Sequence, residues 1–203
     1  VYYHAADLKT KIGCENGIKS VEKEFENFDT LIFSAGATKN GDFLKQPIED
    51  FEDGFALKFY SAVILSKAFW PTLSSNKGWI VSINGAMSHS PDPFFMVGGA
   101  VNAAFLNFTK ALSKRGLVDG VNVNSINPGM TSTDRLITII QNNADREGIS
   151  FVDAEKNALK NIGLDRFSTP EEVAELAYFL CDPKVRHLTG TEINLDGGKK
   201  QTI

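Results

Sequence analysis

Apolar residues along this chain fall into two alternating textures: short runs rich in β-branched and aromatic side chains, and longer stretches where apolar positions return every three or four residues. The short runs are Val1 to Ala6, Thr30 to Phe33, Trp79 to Ile83, Val121 to Ile126 and Glu192 to Leu195, each of a length that suits a strand buried on both faces. Between them, Lys9 to Phe25 reads as a polar amphipathic helix, Ile48 to Leu73 as a long helix stopped by Pro71, and Ala100 to Lys114 as a helix ended by Gly116. In the last of these Val101, Ala104, Phe105, Phe108, Ala111 and Leu112 follow helical spacing, so one face packs and the other carries Asn102, Lys110 and Lys114. Pro170 to Cys181 opens with Ser168 and Thr169 before Pro170, Glu171 and Glu172, where cap, proline and first-turn acids agree on a helix start. Strands alternating with helices predict an α/β protein with a parallel sheet. Thr131 to Gly163 is a long connection with weak helical patterns, the kind of insertion that forms a lid.

Composition bounds this picture without redirecting it. At 203 residues, 42% hydrophobic and 23% charged, residues 1–203 suit one soluble globular domain with one sizeable core. The net charge is -4 and lysines and arginines are scattered, which sets aside nucleic acid and anionic membrane surfaces as partners. No apolar run approaches the ~20 residues that span a bilayer, and no signal core stands near the start. Cys14 and Cys181 are far apart and outside metal-ligand spacing, so no metal site is expected and a reducing, cytoplasmic compartment fits best.

Three stretches carry a resemblance: Leu31-Ile32-Phe33-Ser34-Ala35-Gly36, Val121-Asn122-Val123-Asn124-Ser125-Ile126-Asn127-Pro128-Gly129, and Thr189-Gly190-Thr191-Glu192-Ile193-Asn194-Leu195-Asp196-Gly197-Gly198. With Ser168 to Ala174 before Phe179-Leu180, and Asn102-Ala103-Ala104-Phe105 before Thr109-Lys110-Ala111-Leu112, they resemble the short-chain dehydrogenase/reductase family, in the family's order. The resemblance implies a Rossmann-type doubly wound parallel sheet in three α/β/α layers and an NAD(P)-dependent oxidoreductase of carbonyl or alcohol substrates. It also implies pairing through the long helix and the catalytic helix into a homodimer or homotetramer. Phe55, Phe59, Phe69, Phe105 and Phe108 could serve that interface or the core. The resemblance begins at the family's third strand, Val1 to Ala6, so the opening β-α-β unit, with its glycine-rich phosphate turn and the residue that separates NAD from NADP, is expected either to lie outside residues 1–203, in a longer protein, or to be replaced by an unusual pairing or a partner chain. Without it, Thr30 to Phe33 should expose a hydrophobic edge.

In that family a tyrosine serves as general acid or base and a lysine four residues later lowers its pKa and grips the nicotinamide ribose. A serine bonds the substrate oxygen, and an asparagine supports a water relay to the lysine. The resemblance places the lysine position at Asn102, the tyrosine position at Gly98, the serine position at Gly85 and the asparagine position at Lys58. No tyrosine occurs between Tyr60 and Tyr178, so a small slip of register restores nothing.

Two readings stay open. In one, the protein has lost ordinary turnover and binds a nucleotide or a partner. In the other, it is an active divergent oxidoreductase that uses Lys58 with Ser88 or His89 for proton transfer, against the plainer view that His89 is an exposed loop residue and Lys58 a surface one. His4 and His187 belong to no chemical constellation. For a nicotinamide cofactor, NAD or NADP without a readable choice, the resemblance implies Asp7 and Leu8 at the adenine edge, Ala35 and Gly36 at a strand end, Asn102 at the lysine position, and Pro128, Gly129 and Thr133 near the nicotinamide. Against it, Phe33-Ser34 stands where the family has two asparagines.

Overall fold

The computed structural model describes residues 1–198. Strands β1 (Thr30–Phe33), β2 (Trp79–Ile83), β3 (Asn122–Pro128) and β4 (Glu192–Leu195) form one parallel sheet in the order β1-β2-β3-β4. The helices are α1 (Lys11–Glu24), α2 (Ile48–Gly54), α3 (Ser61–Ser75), α4 (Met96–Asp119), α5 (Asp134–Glu147), α6 (Phe151–Ile162) and α7 (Pro170–Leu180). Alternation along the strands sorts the side chains between two faces. Phe33, Ile80 and Val123 pack with Ala62, Phe69 and Leu73 of α3 and Phe105 of α4, with Ile18 and Val21 of α1 behind them. Val81 and Ile126 pack on the other face with Ala177 and Leu180 of α7. The result is the expected three-layer, Rossmann-like arrangement, with the carboxyl ends of the parallel strands gathered along one edge.

The expected first strand does not form. Val1 to Ala6 joins no strand, and Val1 and Tyr3 lie in solvent. A strand exists only where a neighbour takes its N–H and C=O groups, and none of the described strands lies beside this segment. The same lack leaves β1 as a sheet edge with Ile32 47% exposed, which is the hydrophobic edge anticipated from the sequence.

Three helix boundaries also differ from expectation. Pro71 lies inside α3, which runs on to Ser75, because Phe69 and Leu73 on either side of it are buried in the core and hold the helix through the proline. Upstream, the expected single helix is interrupted by a π-helical stretch, Phe55–Tyr60, at whose centre Lys58 is buried. Helix α4 starts at Met96 and passes through Gly116, and Gly120, at φ 79°, supplies the left-handed cap. Gly116 is a packing residue: a Cβ there would stand 2.1 Å from the Val121 carbonyl oxygen.

The long connection folds as the hairpin α5–α6, with its own apolar cluster of Leu136, Ile140, Ala144, Ala154 and Phe167. Helix α7 begins with a capping box, in which Thr169 Oγ1 accepts from Glu172 N and the Glu172 carboxylate accepts from Thr169 N. Replacing Thr169 by Ala should therefore cost about 1 to 2 kcal/mol, read as a lower urea midpoint with an unchanged slope.

Candidate active site

Four residues singled out from the sequence meet at the carboxyl ends of β1 and β2. Lys58 Nζ donates to the Asn84 carbonyl oxygen at 2.7 Å and to Asn102 Oδ1 at 2.7 Å. It also lies 5.9 Å from the centre of the Phe105 ring. Gly36, in the loop after β1, lies directly over this lysine: a Cβ at Gly36 would be 3.7 Å from Lys58 Cδ. Gly85 has φ +149°, a backbone shape that L side chains rarely adopt, and a Cβ there would stand 2.8 Å from Asn102 Nδ2. A serine at this position is thus opposed by both the backbone and Asn102. Lys58 is not the surface residue of the plainer view, since it is only 9% exposed.

The tyrosine position is filled from elsewhere. The Phe95 ring folds back over Gly98, so that a Cβ on Gly98 would lie 2.0 Å from Phe95 Cζ. Arg135, from the first turn of α5, sits 5.8 Å from the Phe95 ring and donates to the Thr38 carbonyl and hydroxyl at 3.1 and 3.0 Å. Burial, followed by the positive charge of Arg135, pulls the Lys58 amine down from its ordinary range to about 7. Burial lowers Arg135 as well.

Ser88 and His89 turn elsewhere. Ser88 Oγ donates to the Gly85 carbonyl at 3.0 Å, and His89 Nε2 lies 2.6 Å from Glu192 Oε1 on β4. Both line a cleft beside Asn107, Lys110 and Thr191, a cleft that Lys58 does not line. The structure thus bonds Lys58 to Asn102, while Ser88 bonds Gly85 and His89 pairs with Glu192.

Among the positions expected at a nucleotide, Ala35 and Gly36 follow β1, while Pro128 ends β3 and Gly129 N donates to the Leu195 carbonyl at 3.0 Å. Thr133 caps α5, its Oγ1 accepting from Leu136 N at 3.4 Å. Asp7 and Leu8 precede α1; Asp7 Oδ1 accepts from Lys9 N at 3.1 Å and the Leu8 carbonyl accepts from Cys14 Sγ at 3.4 Å. Ala35-Gly36 follows the carboxyl end of β1 and Pro128-Gly129 that of β3, the edge of the sheet on which open α/β proteins bind ligands.

Sequence reasoning did not find Phe95, Arg135 or the Asn84 carbonyl. Phe95 lies about one helical turn before Gly98, which was a usable hint; the reach of Arg135 depends on the hairpin and had no local signal.

A family model described as "Enoyl-(Acyl carrier protein) reductase" matches residues 1–200. NADPH-dependent reductase BacG of Bacillus subtilis is 28% identical over 199 residues, covering 98% of this chain and 76% of that protein. A 3-oxoacyl-[acyl-carrier-protein] reductase of Synechocystis is 30% identical over 183 residues, covering 89% of this chain and 68% of that one. The solved structure of a short chain dehydrogenase family protein from Francisella tularensis superposes with a TM-score of 0.89 at 28% identity, over 97% of this chain and 80% of that one. The chain belongs to the short-chain dehydrogenase/reductase family, whose oxidoreductases use NAD(P). Lys58 and Asn102, for which the sequence resemblance implied the asparagine and lysine positions, are directly bonded.

Proposed function

We propose that this protein is a short-chain dehydrogenase/reductase that has lost the family's proton transfer while keeping the nicotinamide end of the nucleotide site, so that it binds NAD or NADP, or a partner, with little or no turnover. One observation carries the reading: the Phe95 ring occupies the space a side chain at position 98 would enter. No phenol can project from there while Phe95 holds that place, and Gly85 offers no hydroxyl.

The residues at the carboxyl ends of β1 and β3 fit the nicotinamide end of a dinucleotide. Gly36 is exposed and presents bare backbone, with an amine beneath it. Ala35, Gly36, Pro128, Gly129 and Thr133 would hold the ring, Asn102 with Lys58 the ribose side, and Asp7 and Leu8 the adenine edge. The cofactor, when bound, supplies or accepts a hydride; the protein's part would be position and a proton. Loss of a positioned general acid costs about 10² to 10⁴ in rate, and the other replacements act on that same step, so their costs overlap. The names of relatives such as the B. subtilis NADPH-dependent reductase support a nicotinamide ligand.

The test is to titrate the purified protein with NADH and NADPH, following nucleotide fluorescence, and then add small aldehydes, ketones and quinones. Saturable binding without loss of hydride is expected. Failure of both nucleotides to bind at millimolar concentration would remove the nucleotide reading and leave only a partner-binding role.

A second reading is favoured by the Lys58 amine, whose titration near neutrality suits a proton donor. In it the protein is a working, divergent oxidoreductase built on Lys58 with Ser88 or His89. Turnover that disappears in Lys58→Ala or His89→Ala would establish it over the first. With either reading we propose a cytoplasmic homodimer or homotetramer. The exposed apolar Tyr60 before α3, and Leu117 and Val118 on α4, support association, and sedimentation would measure it. Among the described residues no helix is long and apolar enough to cross a membrane.

A further inference from the structure

We propose that Lys58 is a nucleophilic amine that captures small aldehydes or ketones as a covalent iminium at the carboxyl ends of β1 and β2. A neutral primary amine has two N–H donors and one lone pair. At Lys58 the Asn84 carbonyl and Asn102 Oδ1, each at 2.7 Å, take two hydrogens, so the lone pair remains for a third direction. A third proton on the nitrogen would meet no oxygen, because these are its two acceptors among the described residues and neither is a carboxylate. The charged group that acts on the amine from the elements packed around it is the cation Arg135 of α5. Burial together with a neighbouring cation is the environment in which proteins make a lysine nucleophilic, and the amine's shift to about 7 agrees.

Access and polar support are present as well. Gly36 is exposed, and a Cβ on it would stand 3.9 Å from Nζ, so the amine lies close beneath an exposed glycine backbone. Asn84 is 7% exposed, and its carboxamide has no hydrogen-bond partner on nitrogen or oxygen. A donor and an acceptor are thus spare on the residue that already holds the amine, suited to a carbonyl oxygen becoming a hydroxyl.

The step balances without an oxidant or a cofactor. The ammonium gives one proton to solvent, and its lone pair forms a C–N bond as the carbonyl π bond breaks onto oxygen. That oxygen takes one proton from the nitrogen and one from solvent and leaves as water. Carbonyl compound and ammonium become protonated imine and water. This goes beyond nucleotide binding and does not depend on it.

Incubation with propanal and sodium cyanoborohydride at pH 7, followed by peptide mass spectrometry, tests it. An ordinary lysine is neutral there in about one molecule in 10³, an amine with a pKa near 7 in about half. Lower basicity also lowers intrinsic nucleophilicity, so Lys58 should be propylated at least about tenfold faster than the exposed Lys19 and Lys156. Labelling no faster than at those two would overturn the proposal. Lys58→Met should remove the fast site. Arg135→Gln should slow Lys58 at pH 7, with recovery at pH 9 and no change at Lys19; it carries the test if the first variant does not fold, and an unchanged Lys58 rate in it counts against the proposal. Fast labelling without nucleotide binding removes the nucleotide reading above and leaves this proposal standing; nucleotide binding without fast labelling does the reverse.

Discussion

Raising the pH from 7 to 10.5 should stabilise the wild-type protein relative to Lys58→Met by about 1.4 kcal/mol for each pH unit. In the unfolded chain Lys58 keeps its proton up to its ordinary pKa of 10.5, whereas in the fold it releases it near 7. Between those values the unfolded state binds one more proton, so removing protons favours folding. Below pH 7 both states are protonated and the full cost of burying the cation is present. Integrated over the window, the effect reaches about 5 kcal/mol at most, before any relief from water entering the site. Urea unfolding of both proteins at pH 7, 8, 9 and 10 measures it. A stability difference that stays flat with pH would mean that Lys58 remains charged in the fold.

Gly116→Ala is expected to cost about 3 kcal/mol or more, the upper end of the range for overpacking. The added methyl would fall 2.1 Å from the Val121 carbonyl oxygen, and backbone cannot swing aside as a side-chain tip can. Val121 N also donates to the Gly116 carbonyl at 3.0 Å, so separating the segments strains the turn that leads from α4 into β3. Gly99→Ala, near the start of α4, is the control. Its Cβ would meet the Met87 carbonyl at an ordinary 3.5 Å, and helix propensity should then stabilise by about 0.5 to 1 kcal/mol. Thermal midpoints moving in opposite directions for the two variants would bear this out; equal midpoints would show that α4 and β3 can part without cost.

Much of the fold could be read because the strand signal is local. The bounds of β1, β2 and β4 agree with the apolar runs Thr30 to Phe33, Trp79 to Ile83 and Glu192 to Leu195. What misled was punctuation. Pro71 and Gly116 are breakers by chemistry, but one is held in place by buried Phe69 and Leu73 and the other is required by a backbone approach, and both causes are tertiary. Val1 to Ala6 had the composition of a strand without the neighbour that makes one. The π-helical stretch around Lys58 has no sequence signature at all.

The site divides the same way. The resemblance singled out Lys58, Gly85, Gly98 and Asn102, and the structure brings Lys58, Gly85 and Asn102 into contact range of one another. What register could not supply was contact between distant elements: the Phe95 ring on Gly98, or an arginine from the hairpin whose charge reaches the lysine.

That arginine gives the hairpin a role other than that of a cover. Arg135 is moored by two hydrogen bonds to Thr38, in the loop that follows β1, and it contributes to keeping the Lys58 amine poor in protons. Releasing the mooring would remove the smaller of the two causes that lower the amine and raise its basicity in part, while burial would still hold it down. Helix α5 therefore acts on Lys58 through an electric field, and the proton occupancy of Lys58 becomes a readout of where α5 stands.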